Sequence, residues 1–325
     1  MRRRTIWTLI TLLASFALAS PLAAQEGLKK VRIAYPSNSI CCLSLFAALK
    51  WKAFEEHGLQ VEIIQARSQV SNTALASGDI QYVAGVGPNS VSATLRGMAS
   101  RAVWFATDQL IYSLLARPEF LTLKDLRKKK IGMIGLGGTS EVALKIALES
   151  AGENPKSFVL LGMAAAQLLP ALEAGALDAA QLSPPFVSFA KKKGLRELLD
   201  IGSHVKMPLG GLTTLVTTIR SRPDELKKVI RSLQSTQQEM LRSKEKSVAL
   251  VATFLQVDRE AAEDTFTVYR KTVSGNGVPT HEGMDQIVKS LQVSGQFADR
   301  KVAFEEIADD RTAKEVAREL GYKIN

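Results

Sequence analysis

The sequence predicts an α/β fold: two units of alternating strands and helices, each forming a mostly parallel sheet with helices on both faces, then a helical tail. Three observations predict it. Short apolar, β-branched runs alternate with segments of helical period from residue 31 onward. The rhythm pauses and begins again near residue 130, and after Ser221 only the helical period remains.

In the first unit, Val31–Tyr35 reads as a strand ended by Pro36-Ser37-Asn38. A helix over Leu43–Glu56 carries Leu45, Phe46, Leu49, Ala53 and Phe54 on one face and stops at Gly58. Val61–Ile64 is the second strand, and a helix over Ser71–Ala76 stops at Ser77-Gly78. Tyr82–Val86 is the third strand, followed by Gly87-Pro88-Asn89 with Asn89 as the expected helix cap. Ala102–Ala106 is the fourth. Tyr112–Ala116 is a further extended run ended by Arg117-Pro118.

The second unit opens with the strand Lys130–Ile134, the turn Gly135–Ser140 and a helix over Glu141–Ala151 ended by Gly152. Phe158–Leu161, Ala179–Leu182 and Leu198–Ile201 supply three more strands, and the β-branched run Leu212–Thr218 reads as another. In the tail, Pro223 suits a first helical turn, and Leu226, Val229, Ile230 and Leu233 make an apolar stripe. Thr280 is placed to cap the helix carrying Met284, Ile287, Val288 and Leu291. Thr312 and Glu315 have capping-box spacing, and Gly321 closes the last helix.

Residues 1–24 have the layout of a secretory signal peptide: Arg2–Arg4, an uncharged apolar run Thr5–Ala19, and Leu22-Ala23-Ala24 before the expected cut. The apolar run is shorter than the roughly 20 residues of a comfortable bilayer span. The rest of the chain has no segment of that length. Hydrophobic residues at 46% and charged residues at 23% exclude a disordered chain. The net charge is +10, three of it in the leader. The tight run Lys128-Lys129-Lys130 has no interleaved aromatics and reads as a solvated face rather than a nucleic-acid patch.

Ligands of open α/β sheets sit beyond the carboxyl ends of the strands. Four loops expected there are small, polar or glycine-rich: Ser37-Asn38-Ser39, Gly85–Ser90 with Gly87, Pro88 and Asn89, Gly137-Gly138-Thr139-Ser140, and Ser183–Phe186 with Pro184 and Phe186. Helix N-termini there aim free N–H groups at an anion or electron-rich oxygen, with the Thr139 and Ser140 hydroxyls adding directional bonds. The alternative for any one loop is a turn and cap with no ligand. Tyr112 and Phe186 offer ring surfaces for stacking. No arginine clamp lies among these residues, which disfavours a compact, doubly charged anion.

Catalytic motifs are mostly absent. Gly135-x-Gly137 begins a dinucleotide fingerprint, but Ser140 occupies the third glycine position. There is no phosphate-binding Gly-Lys-Ser/Thr, no nucleophile elbow and no His-Glu-x-x-His. Ser188/Lys191 and Ser243/Lys246 have Ser-x-x-Lys spacing without companion motifs. No cofactor motif and no metal-ligand spacing is present, the three histidines being scattered. Cys41 and Cys42 are read as two small buried hydrophobes, as a cleft-facing pair, or as a strained vicinal bridge.

Several stretches resemble one family: Val31–Tyr35, Phe54–Glu62, Ala76–Tyr82 with its Gly-Asp-Ile-Gln, and Leu172–Ala180 with its Ala-Gly-x-x-Asp-Ala. The chain resembles the nitrate/sulfonate/taurine-type periplasmic binding proteins of ABC transporters, within the wider thiamine-pyrimidine-precursor superfamily. That resemblance implies a type II periplasmic-binding fold and a monomer. One lobe would comprise 25–111 plus 212–325 and the other 112–211, with a hinge at the crossovers 108–117 and 207–218. It also implies a periplasmic protein that takes a small-molecule ligand between its lobes and meets an ABC permease and its ATPase. The ligand expected is a small organic sulfonate or carboxylate, or a heteroaromatic precursor. A precursor-making enzyme of the same fold is the alternative, although its cysteine-rich motif is longer than Cys41-Cys42; a sensory binding module is another.

Overall fold

The computed structural model describes residues 27–136, 139–205 and 207–324. The expected leader, 1–24, and the expected ligand residues Gly137 and Gly138 lie outside them. No helix among the described residues is long and apolar enough to cross a membrane.

Among the described residues, ten strands form two five-stranded sheets. The first contains β1 (Lys29–Tyr35), β2 (Leu59–Gln65), β3 (Tyr82–Val83), β4 (Ser100–Phe105) and β10 (Gly211–Leu215), in the order β2-β1-β3-β10-β4. β1 runs parallel to β2 and β3, whereas β10 is antiparallel to β3 and β4. The second contains β5 (Ser113–Ala116), β6 (Lys130–Ile134), β7 (Val159–Met163), β8 (Ala179–Leu182) and β9 (Arg196–Asp200), in the order β7-β6-β8-β5-β9. Here β6 is parallel to β7 and β8, and β5 is antiparallel to β8 and β9. Each sheet therefore has four strands in one direction and one reversed.

Between the strands of the first sheet run α1 (Leu43–Lys50), α2 (Ala53–Glu56), α3 (Ser68–Ser77) and α4 (Pro88–Leu95). The second sheet holds α5 (Thr139–Ser150), α6 (Ala165–Glu173), α7 (Phe186–Lys192) and α8 (Ile201–His204). The tail comprises α9 (Val216–Ser221), α10 (Pro223–Arg242), α11 (Lys244–Leu255), α12 (Arg259–Thr272), α13 (His281–Val293), α14 (Phe304–Ile307) and α15 (Arg311–Glu319). α10 buries Leu226, Val229, Ile230 and Leu233 against the first sheet, together with Ala313 and Val316 of α15. Glu225, also buried on α10, accepts a bond from Tyr82 Oη at 3.2 Å and pairs with Lys29 at 3.0 Å, fastening the tail to β1 and β3. α13 packs against both α4 and α5, so one buried cluster runs from Val86 and Phe105 through Met133 to Met284 and Ile287.

Five local expectations are corrected. The helix expected over 43–56 breaks at Lys52, whose φ of 62° lies in the left-handed region, and the break turns Ala53 and Phe54 into the core. The third strand stops at Val83, because Gly85 N–H turns back to the Val83 carbonyl. The strand expected to reach Thr218 ends at Leu215, opposite the first residue of β4. With no partner beyond that point, the β-branched residues 216–218 coil into α9 and Ile219 packs on the core. Gly87, not Asn89, caps α4, since Pro88 with its fixed φ takes the first helical position. Asp310 caps α15, leaving Thr312 inside the first turn and Glu315 paired with Lys227 at 2.6 Å.

Candidate functional site

The parallel strands set the geometry. β1 and β3 end on the same side of the first sheet, as β6 and β8 do in the second, so the four expected loops form two pairs.

In the first pair, Ser37 and Ser39 are half-buried and Asn38 is exposed. The chain then tightens into a 3₁₀ turn, Ile40–Cys42, which runs directly into α1. Both cysteines are free and buried, with Sγ atoms 3.7 Å apart, and Ser39 Oγ lies 2.8 Å from Cys41 Sγ. Hydrogen bonding from Cys42, and then from Ser39, outweighs burial and lowers the pKa of Cys41. The same bond to Cys41, with burial second, raises Cys42 well above an ordinary thiol. The neighbouring loop is held by Gly85, whose carbonyl accepts from Thr213 Oγ1 at 2.6 Å and Ser90 Oγ at 3.3 Å. Pro88 is buried in the first turn of α4, and the Asn89 carbonyl accepts from Asn72 Nδ2 at 3.3 Å.

In the second pair, Ser140 is buried and its hydroxyl is already engaged. It donates to Gln181 Oε1 at 2.6 Å and accepts from the Ile134 N–H at 3.1 Å. The loop after β6 is thereby tied to β8. Thr139, one residue earlier, is half-buried and keeps its side chain toward the first sheet's loop. The turn after β8 has a cis peptide between Pro184 and Pro185, with both residues buried. Phe186 packs on the second sheet's own core, edge-on to Phe189 with ring centres 6.4 Å apart.

The two pairs meet at Gly87 and Thr139. A Cβ built on Gly87 would stand 2.4 Å from Thr139 Oγ1 and 3.7 Å from Thr139 Cβ, so the N-terminal ends of α4 and α5 touch only because residue 87 is glycine. A second junction lies at the crossovers. A Cβ on Gly210 would stand 2.5 Å from the Cys41 carbonyl oxygen, and Tyr112 is close enough to both thiols to feel their charge, although burial is the larger cause of its raised pKa. The structure thus joins Gly87 to Thr139, Ser39 to Cys41, and Ser140 to β8.

Sequence reasoning passed over Gln181, Gly210 and the closeness of the thiols to Tyr112. Gln181 was visible as the lone polar residue in Ala179–Leu182, a strand buried throughout. Gly210-Gly211 was visible as a glycine pair beside a crossover. The lysines of the two Ser-x-x-Lys pairs and the three histidines have structural partners. Lys191 pairs with Glu197, and Lys246 lies 3.9 Å from the Trp51 ring centre. His57 bonds the Ala53 carbonyl at 2.7 Å, His204 lies 3.0 Å from Ser150 Oγ, and His281 stacks on Phe304. Among the described residues no cluster of three or more metal-ligating side chains is found. A separate open cavity of ≈ 700 Å³, lined by Asp108, Asn276, His281, Lys314 and Tyr322, opens beside the tail helices and takes in none of the four loops.

Residues 43–247 match the sequence pattern of the NMT1/THI5-like family, well over half of the chain. The protein belongs to that family. It is 25% identical over 277 residues to a Brucella abortus (strain 2308) protein named as a binding protein, across 81% of this chain and 82% of the relative. Among solved structures, a Bordetella bronchiseptica RB50 protein superposes with a TM-score of 0.77 at 19% identity, covering 90% of this chain and 98% of that one. The periplasmic aliphatic sulphonate binding protein SsuA of Escherichia coli superposes with a TM-score of 0.72 at 16% identity, over 86% of this chain and 92% of its own. The shared fold is the type II periplasmic binding fold, which accounts for the repeated strand order of this NMT1/THI5-like chain.

Proposed function

We propose that this protein is the extracytoplasmic solute-binding component of an ABC-type importer. It would hold a small organic anion (a sulfonate or carboxylate) or a heteroaromatic precursor between two lobes. The observation that carries the reading is the approach of Gly87 to Thr139, where two helix N-termini from different sheets converge. Such ends present free N–H groups and a positive dipole, worth about 1–2 kcal/mol to an anionic group in a partly buried site. Ser37, Asn38, Ser39, Thr139 and backbone groups at Gly87, Gly137 and Gly138 would contact the ligand. Tyr112, Pro88, Asn89, Pro184 and Phe186 would frame it, and Ser140 would act by fixing the turn. The E. coli protein of like fold is named for binding aliphatic sulphonates, which supports this ligand class.

In this reading, 25–111 with 212–325 forms one lobe and 112–211 the other, and the crossovers between them hinge. The α13 packing against α4 and α5 then sets the seam about which they turn. The leader directs the chain to the periplasm, where a monomer delivers its ligand to a permease and ATPase without transforming it.

The test is to denature protein isolated from the export compartment and identify what it releases by mass spectrometry. One small organic anion or heteroaromatic per chain, rebound unchanged in calorimetry, is the expected result. Recovery of a chemically altered product after rebinding would identify an enzyme. No released molecule, with no thermal shift across sulfonates, carboxylates and heteroaromatics, would remove the reading.

A further inference from the structure

We infer that Cys41 and Cys42 form a dithiol site beneath the turn that follows β1, which captures one soft, neutral, thiophilic centre of the trivalent arsenical class, bonding it through both sulfurs. The inference stands independently of the transported solute.

Adjacent residues in a strand point to opposite faces. Here the 3₁₀ turn Ile40–Cys42 brings both sulfurs together instead. Their separation of 3.7 Å is well beyond a disulfide bond of about 2.05 Å, yet short enough for one atom to bridge them. Both thiols border a small void of ≈ 10 Å³, walled by Leu45, Ala84, Trp104, Leu212 and Leu233. That is about the room one small centre occupies. Ser39 Oγ, 2.8 Å from Cys41 Sγ, supplies a polar partner at the rim. Cys41 keeps slightly under a tenth of its surface exposed, so the pair is not wholly sealed from solvent.

The wall decides the class of ligand. No carboxylate, ammonium or imidazole lines the void. A hard cation has no oxygen cage there, and a soft monovalent cation on two thiolates would leave net charge in a largely apolar wall, which is costly. A soft two-coordinate dication prefers its sulfurs on opposite sides of it, whereas these two lie side by side. A trivalent arsenical gives a neutral adduct. With methylarsine oxide, whose single methyl group suits so small a void, two As–S bonds form as the As–O bonds break. Both thiol protons leave on that oxygen as one water, and arsenic stays trivalent, so no oxidant or reductant is needed.

The experiment treats the folded, leader-free protein with methylarsine oxide in the absence of other thiols and reads the intact mass. A one-to-one adduct is expected, with free thiols counted after denaturation falling from two to none. Excess dithiol should reverse it. Cys41→Ser and Cys42→Ser, each shown to fold by circular dichroism, should each lose the adduct. If the folded protein stays unmodified while the unfolded chain reacts, the cysteines are core residues and the inference fails. It fails equally if either serine variant keeps a stable adduct.

Discussion

The two sheets have the same strand order, yet they fasten their first turn differently. In both, the first strand of the parallel set, β1 or β6, leaves the sheet through a short turn into a helix N-terminus. After β6 the turn is locked: Ser140 bonds the Ile134 N–H and Gln181, so its hydroxyl belongs to the scaffold. After β1 the turn has no side-chain cap, and its polar side chains are Ser37, Asn38, Ser39 and the two thiols, of which Ser39 meets Cys41. Equal topology thus yields one wall locked by side-chain bonds and one without that lock. The source of the reversed strand differs too. β5 is the first strand of its sheet to be made, whereas β10 completes the other after the whole second unit has been built. The first sheet is therefore held by elements far apart in sequence, with Glu225 of α10 linking Tyr82 and Lys29.

The largest effect should come from breaking that link. Glu225→Ala orphans the buried Tyr82 hydroxyl and opens a cavity, and should cost about 2–4 kcal/mol in denaturant unfolding. Lys29→Ala should cost under about 1 kcal/mol, because the Lys29 side chain is 53% exposed. Equal costs would mean that the ion pair, not the buried hydroxyl, fastens the tail.

The locked wall comes next. Ser140→Ala strands Gln181 Oε1 and the Ile134 N–H, an expected loss of about 1–3 kcal/mol. Ser39→Ala, at the corresponding turn of the other sheet, should cost about 0.5 kcal/mol, since its single partner is a thiol and it is half-exposed. Matching losses at the two serines would erase the contrast between the walls.

Much of this was legible in the sequence, for identifiable reasons. Lys130–Ile134 and Ala179–Leu182 fall on the observed bounds because a strand buried on both faces reads as a short apolar run. Residues 212–218 misled because β-branching marks a strand only while a partner strand continues alongside, and β4 begins opposite Leu215. The break at Lys52 follows from burying Phe54, a tertiary demand that helical periodicity does not record. At the site, composition pointed to the four loops but not to their division of labour. A serine hydroxyl free to bond a ligand and one spent on Gln181 look alike in sequence. The meeting of Gly87 with Thr139 joins residues from different sheets, which no local pattern could encode.

That meeting is the account's central claim, and a covalent trap tests it most directly. The distance of 3.7 Å from a Cβ at Gly87 to Thr139 Cβ lies within the span a disulfide requires. In a Cys41→Ser/Cys42→Ser background, Gly87→Cys combined with Thr139→Cys should oxidise to an intramolecular cross-link under mild conditions, seen as the loss of both free thiols in the intact mass. Each single cysteine variant should keep its thiol. A double variant that folds yet keeps both thiols free would show that the two walls do not meet, and the proposed cleft would have to be placed elsewhere.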